Sequence, residues 1–249
     1  MNSPFLVFCC RVAAAFGLVV VPLTASAFTS LSIVDDFQSD SHNLDLSGST
    51  GSVSDSSSSA PTVIGGHRQI RFSVTSNPFG NPARTLLNNA GDGQLSMTLG
   101  DDAIGLTRLV YQGPGAAGLG GLDFTEAGHN SVILYFLSID ETIRVDLTIS
   151  DASGRTATLN TNLGPTPGPN SFSFVYSLFD NAPNTDFTQV DTLAIQLAAI
   201  TPGAEFHADA IALGNSPLAA APEPDRAILL AVAALTLFGR RRRHPLSRL

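Results

Sequence analysis

The sequence predicts an all-β domain, arranged as a β-sandwich or jelly roll, in residues 28–213. Many short stretches of this segment alternate apolar and polar residues, which is the pattern of a strand with one buried face. Turn-forming residues separate these stretches, and no segment shows a convincing 3.6-residue period. A succession of about ten short strands in one domain is typical of two packed sheets.

The predicted strands follow one another along the whole of this domain. They lie at 31–37, 69–74, 94–99, 109–111, 131–139, 142–150, 155–160, 171–175, 192–197 and 205–213. Residues 131–139 form a continuous apolar run, so we expect that strand to be buried on both faces in the middle of a sheet. The turn residues 151–154 predict a hairpin between the two strands that flank them.

Two segments between or after the strands have the composition of connections. Residues 47–60 are almost entirely Ser, Gly, Asp and Thr, so we predict a mobile loop, with a glycosylated or adhesive tract as the alternative. Residues 214–221 are predicted to be a linker that follows the β-domain.

The first 27 residues are predicted to be an export signal. A basic residue precedes the apolar stretch 12–21, and the small residues Ala25 and Ala27 match the pattern of a signal-peptide cleavage site. Cleavage after Ala27 makes Phe28 the first residue of the mature chain. Both cysteines lie inside this segment, so the predicted mature chain contains no disulfide and no cysteine-based metal site.

Residues 222–249 combine a tripeptide, an apolar run and a basic cluster, in that order. The tripeptide is Pro222-Glu223-Pro224, and the apolar run at 227–239 is 13 residues long. As a helix it would measure roughly 20 Å, against about 30 Å for the hydrocarbon core of a bilayer, so it is a short membrane anchor. The basic cluster that we expect on the cytoplasmic side consists of Arg240, Arg241, Arg242 and Arg243.

This arrangement resembles the PEP-CTERM sorting signal of Gram-negative and related bacteria. The resemblance implies that a membrane-bound exosortase recognises residues 222–224 and cuts the chain near them. It also implies a transient membrane anchor and a final location on the cell surface or in the extracellular polysaccharide matrix. The export signal at the other end of the chain agrees with this route.

The β-domain itself resembles the galactose-binding-like jelly rolls, which include many carbohydrate-binding modules. The resemblance rests on Asp35-Asp36-Phe37 near the start, the stretch 63–68 after the Ser-rich segment, and the closing stretch 206–211. It implies that the first and last strands are neighbours and hold a structural Ca²⁺ between them. The matching positions are Asp35, Asp36 and Asp209, whose oxygens are of the type that Ca²⁺ prefers. The alternative is that these aspartates only cap a strand or face water.

Aromatic residues suited to stacking on sugar rings are scarce. The chain has no Trp and three Tyr, and sugar platforms usually need the flat rings of these residues. Tyr111 and Tyr176 are the candidates to line a ligand groove, and structural packing is the alternative for both.

Charge and motifs limit the possible functions. Residues 28–221 hold 19 acidic residues, six arginines and no lysine, a formal charge of about −13, which opposes nucleic-acid binding. The sequence contains neither a Gly-x-Ser-x-Gly elbow nor a His-Glu-x-x-His pair. The leading hypothesis is a non-enzymatic surface or matrix protein. A carbohydrate-binding module for exopolysaccharide is the alternative, and a secreted hydrolase is the third hypothesis.

Overall fold

The computed structural model describes residues 31–57 and 60–216, which fold into two β-sheets. The strands are β1 (Leu31–Asp35), β2 (His42–Asp45), β3 (Gly51–Ser57), β4 (Arg68–Ser76), β5 (Ala83–Leu87), β6 (Leu95–Leu99), β7 (Ile104–Tyr111), β8 (Ser131–Ile139), β9 (Ile143–Asp151), β10 (Thr156–Leu163), β11 (Asn170–Val175), β12 (Val190–Ala199) and β13 (Glu205–Gly214). Short 3-10 helices occur between strands, at Ile64–Gly66, Asn89–Gly91, Pro114–Ala116, Glu126–Gly128, Tyr176–Leu178 and Ala182–Asn184.

The two sheets are antiparallel throughout. One has seven strands in the order β11-β8-β13-β6-β5-β2, and β1 pairs with the half of β13 that β6 leaves open. The other has six strands in the order β10-β9-β12-β7-β4-β3. The prediction of an all-β fold with two packed antiparallel sheets is therefore confirmed. The pairing of β1 with β13 also confirms that the first and last strands are neighbours.

The core lies between the sheets and is built from the inward positions of the alternating strands. In β4, Ile70 and Phe72 are fully buried, whereas Arg71 between them is exposed. Phe136 of β8 and Phe206 of β13 pack edge to face, with ring centroids 6.0 Å apart. Burying each such side chain stabilises the fold by roughly 1.5–3 kcal/mol.

The prediction of a mobile loop at 47–60 is wrong for the residues of β3. All residues of Gly51–Ser57 pair with β4 at the edge of the six-stranded sheet. Only Val53 packs against the core, so backbone hydrogen bonds to β4 order this segment without the apolar burial that the sequence lacks. Residues 58 and 59 lie outside the described residues.

Two further strands were not predicted. β2 has only four residues, and β5 contains a buried threonine, Thr85, at a position where the pattern requires an apolar residue. The Thr85 hydroxyl is 2.6 Å from the Thr107 hydroxyl of the facing sheet, so its burial is compensated by a hydrogen bond.

The strand β7 begins before the predicted residue 109. The sequence pattern misses its first residues because Gly105 interrupts the apolar alternation. A Cβ at Gly105 would lie 2.8 Å from the backbone oxygen of Ser73, so close pairing with β4 favours glycine there.

The sorting and export segments lie outside the described residues. These are the signal with Ala25 and Ala27, the motif at 222–224, the apolar run at 227–239 and the arginine cluster at 240–243. Gly214 belongs to β13, so the predicted linker begins inside the last strand. Within 31–57 and 60–216, the structure contains no helix long and apolar enough to cross a membrane.

Candidate functional site

The outer face of the six-stranded sheet carries one line of polar side chains that crosses every strand. The strand register places each of them directly opposite the next. We call this set the polar row: Ser54, Arg71, Arg108, Gln196, Asp146 and Asn160. Because neighbouring strands lie about 4.8 Å apart, the row is roughly 24 Å long.

The alternation of each strand points the polar row away from the core. Arg108 lies between Thr107 and Leu109 of β7, and both of these neighbours are buried. Gln196 lies between the buried Ile195 and Leu197 of β12 in the same way. Because side chains along a strand point to opposite faces in turn, burial of the neighbours fixes the outward direction of the polar residue.

Small and apolar side chains flank the centre of the polar row. Leu106 and Val110 lie on either side of Arg108 along β7, and Ala194 and Ala198 lie on either side of Gln196 along β12. Register pairs Leu106 with Ala198 and Val110 with Ala194. The middle of this face is therefore a low apolar floor with a polar group from each strand across it.

One end of the polar row forms a groove of about 200 Å³ between β3, β4 and β7. Its lining residues are Ser52, Ser54, Gln69, Arg71, Arg108 and Val110. Arg71 donates a hydrogen bond from Nη2 to the Ser52 hydroxyl oxygen at 2.9 Å, which restrains its guanidinium within the groove. The groove is polar, open to solvent and rich in hydrogen-bond donors.

The other end of the polar row is electrically compensated. The Asp146 carboxylate accepts hydrogen bonds at Oδ2 from Gln196 Nε2 at 2.9 Å and from Arg144 Nε at 3.0 Å. The exposed amide of Asn160 on β10 completes the row. Asp146 thus neutralises the positive charge of Arg144. The charges of Arg71 and Arg108 at the groove end are not neutralised in this way.

Comparison with known proteins gives a similarity of architecture only. No protein-family model and no curated relative matches the chain. Among solved structures, the chain is similar to the family 11 carbohydrate-binding module of the cellulosomal cellulase Lic26A-Cel5E of Clostridium thermocellum, at 15% identity and a TM-score of 0.38, over 75% of this chain and 95% of that one. It is similar to the agarase AgWH50C at 13% identity and a TM-score of 0.39, over 59% of this chain and 22% of that one. It is also similar to CBM28, a carbohydrate-binding module specific for non-crystalline cellulose, at 12% identity and a TM-score of 0.32, over 58% and 80%.

The predicted calcium site does not form around Asp35. This carboxylate is fully buried, and Nη1 of Arg68 lies 2.7 Å from its Oδ1 and 2.6 Å from its Oδ2. Tyr111 donates its hydroxyl to Oδ2 at 2.8 Å, and the Phe37 backbone N–H donates to Oδ1. Burial raises the pKa of Asp35, and the Arg68 guanidinium opposes that rise. Arg68 therefore supplies the positive charge that the prediction assigned to Ca²⁺.

The other two predicted calcium ligands also lack the required surroundings. Asp36 is half-buried beside an open depression lined mainly by apolar residues, and its Oδ1 accepts the Gln38 backbone N–H. Asp209 is exposed at a bulge in β13. Across residues 31–57 and 60–216, no three His, Cys, Asp or Glu side chains form a group that could hold a metal ion. The residues at these positions do not fit a calcium site.

The two predicted ligand-binding tyrosines are core residues, so this prediction is wrong. Tyr111 is fully buried, and burial, together with the nearby Asp35 charge, raises its pKa well above 10.0. Tyr176 donates its hydroxyl to the Phe124 backbone oxygen, and its ring stacks on Phe187 at a centroid distance of 4.6 Å. Neither ring is open to a ligand, because both side chains point into the core.

Sequence reasoning did not identify the polar row. Four members lie within strands that the sequence predicts, namely Arg71, Gln196, Asp146 and Asn160. Ser54 and Arg108 lie outside the predicted strands. The cross-strand register that brings Arg71, Arg108 and Gln196 into one line is a property of the folded sheet.

Proposed function

We propose that this chain is an exported protein that binds extracellular polysaccharide along the polar row. The carrying observation is the unbroken line of hydroxyl, guanidinium, amide and carboxylate groups across six strands, beside an apolar floor. A polysaccharide presents hydroxyl groups at its edges and apolar C–H groups on its ring faces. Such a ligand needs both kinds of surface, arranged over several sugar residues.

The spacing of the polar row supports an extended ligand. A chain lying along the row would meet one polar side chain about every 4.8 Å, which is comparable with the length of one sugar residue. Because the row contains no aromatic ring, the binding energy comes from many modest hydrogen bonds rather than from ring stacking. We therefore expect longer oligosaccharides to bind more tightly than short ones.

Binding is favoured over hydrolysis by the carboxylates on this face. A glycosidase of the common type uses two carboxylates on opposite sides of the scissile bond. Asp146 is the one carboxylate of the polar row, and Arg144 and Gln196 already occupy one of its oxygens. A non-enzymatic role is accordingly part of the proposal. Export, sorting by an exosortase at 222–224 and delivery to the matrix are also part of the proposal, and the sequence of the terminal segments supports them.

Affinity electrophoresis in gels that contain single polysaccharides tests this function. The wild-type protein is expected to be retarded by at least one polysaccharide. The double variant Gln196→Ala/Asn160→Ala should bind about tenfold more weakly, because it loses two hydrogen-bonding groups. The matched control, Ser96→Ala/Ser138→Ala, removes two hydroxyls from the half-buried outer positions of β6 and β8 in the seven-stranded sheet.

The two faces give distinct outcomes. Retardation that is weakened by the first double variant and unchanged by the second supports the polar row as the binding surface. If no polysaccharide retards the protein, the binding proposal is contradicted and a structural surface protein remains as the hypothesis. Equal weakening by both double variants would place binding elsewhere and contradict the proposal.

A further inference from the structure

Two arginines of the polar row lack carboxylate partners. Arg71 and Arg108 are both exposed and lie directly opposite each other on β4 and β7. Within 31–57 and 60–216, neither forms a salt bridge, and the hydrogen bond from Arg71 to Ser52 is to a neutral group. Like charges in directly opposed positions of a sheet repel one another and destabilise it.

The other four arginines of the β-domain all face acidic residues. Three form salt bridges, namely Arg68 with Asp35, Arg144 with Asp146 and Arg155 with Asp151. The fourth, Arg84 on β5, lies directly opposite Asp45 on β2. In a domain with a large excess of acidic residues, a pair of arginines that faces only its own like charge therefore stands apart from the rest.

We propose that the ligand of the polar row is an acidic polysaccharide whose uronate carboxylates are bound by Arg71 and Arg108, which deepens and rests on the proposed function. The planar guanidinium group matches the two oxygens of a carboxylate, with two parallel hydrogen bonds. A carboxylate in the groove would also relieve the repulsion between the two arginines. Ser54 and Gln69 line the same groove and supply neutral partners for sugar hydroxyls.

The charge distribution favours a polymer with carboxylates spaced along a neutral scaffold. The uncompensated positive charge lies on β4 and β7. The next member of the row, Gln196, is neutral and is flanked by alanines, and at the far end Arg144 and Asp146 compensate each other. The surrounding domain carries 19 acidic residues, which repel a densely charged polyanion such as nucleic acid. A uronate chain carries at most one charge per sugar residue, whereas double-stranded DNA carries one per about 1.7 Å, and it offers ring faces to the apolar floor.

Binding of the full-length chain to polygalacturonate and to its fully methyl-esterified form tests this inference. The two polymers share a backbone and differ in the carboxylate charge. The wild-type protein is expected to bind polygalacturonate at least about tenfold more tightly than the ester, and the difference should shrink at high salt. Dextran sulfate with dextran, and a single-stranded oligonucleotide, test sulfate and nucleic-acid binding in parallel.

Substitution of three arginines, singly and in one pair, tests where on the domain the charge preference arises. Arg71→Gln and Arg108→Gln should each reduce the preference for the carboxylated polymer, and the double variant should abolish it. Arg84→Gln, on the other sheet, is the matched control and should retain the wild-type preference. Because all three side chains are exposed, the variants should fold, and circular dichroism with thermal unfolding checks this.

Each result separates this inference from the proposed function. Equal affinity for both polymers, or a preference that survives in the double variant, would overturn the uronate assignment while leaving polysaccharide binding intact. Tighter binding of dextran sulfate or the oligonucleotide than of polygalacturonate would also overturn it. Binding to no polysaccharide would contradict the proposed function itself.

Discussion

Arg68 and Arg71 lie on the same strand, β4, and their side chains point to opposite sides of it. Arg68 points inward, is fully buried and contacts both oxygens of Asp35, which belongs to the facing sheet. Arg71 points outward into solvent and faces Arg108. Because the two arginines are three positions apart, the alternation of the strand places them on opposite faces. Arg68 therefore joins the two sheets, and Arg71 is open to solvent.

The largest expected effect comes from breaking the inward pair. Asp35→Ala leaves the Arg68 guanidinium buried without its counter-charge, so the free energy of unfolding should fall by about 3–5 kcal/mol. Urea unfolding followed by fluorescence or circular dichroism measures this change. The double variant Asp35→Leu/Arg68→Met should be closer to wild type, because no unpaired charge remains. A loss below about 1 kcal/mol in the single variant would mean that the pair behaves as a surface salt bridge.

An intermediate case is the Arg155–Asp151 pair, in which only the carboxylate is buried. Burial raises the pKa of Asp151, but hydrogen bonds from the Asp186 backbone N–H, Ser153 and Arg155 outweigh it and hold the pKa well below 3.8. The resulting stability is present above the unfolded-state pKa and is lost as the pH falls through the folded-state value.

Acid titration of stability should therefore reveal Asp151. Asp151→Asn is expected to lower stability at neutral pH and to flatten its fall between about pH 4 and pH 2. Thermal unfolding at a series of pH values provides the measurement. The Asp101→Asn variant, at an exposed turn, is the control and should follow the wild-type curve. An unchanged pH dependence in Asp151→Asn would show that its hydrogen bonds do not couple to folding.

A smaller effect of opposite sign is expected for the outward pair. Arg108→Gln removes the repulsion with Arg71, so the free energy of unfolding should rise by roughly 0.2–1 kcal/mol in the absence of ligand. Arg84→Gln removes an attraction to Asp45 instead and should leave stability unchanged or slightly lower. A loss of stability in Arg108→Gln, measured by urea unfolding, would indicate that this arginine has a structural role.

No effect is expected from calcium. Because Arg68 already neutralises Asp35, neither excess Ca²⁺ nor a chelator should shift the melting temperature of the wild-type protein. A Ca²⁺-dependent rise of more than about 4 °C in differential scanning fluorimetry would restore the calcium hypothesis.

The sequence predicted the strands whose apolar pattern is clear, such as the alternating β4 and β9 and the continuous apolar run of β8. It did not predict β3, because that strand has one apolar side chain, Val53, and pairs with β4 along its whole length through the backbone. The sequence pattern includes both the Asp35 motif and the stretch that ends at Arg68. It does not show that the two residues are in contact, because that contact joins one sheet to the other. The polar row was missed for a related reason, because its members come together only through the register of six strands.

The most direct test of the outward-facing row is an NMR titration of the arginine Nε–Hε signals with uronate oligosaccharides. The signals of Arg71 and Arg108 should shift in proportion to ligand bound, while those of the buried Arg68 and of Arg84 on the other sheet stay in place. Shifts confined to Arg84 and the outer face of the seven-stranded sheet, or no shifts at saturating ligand, would contradict uronate binding at the polar row.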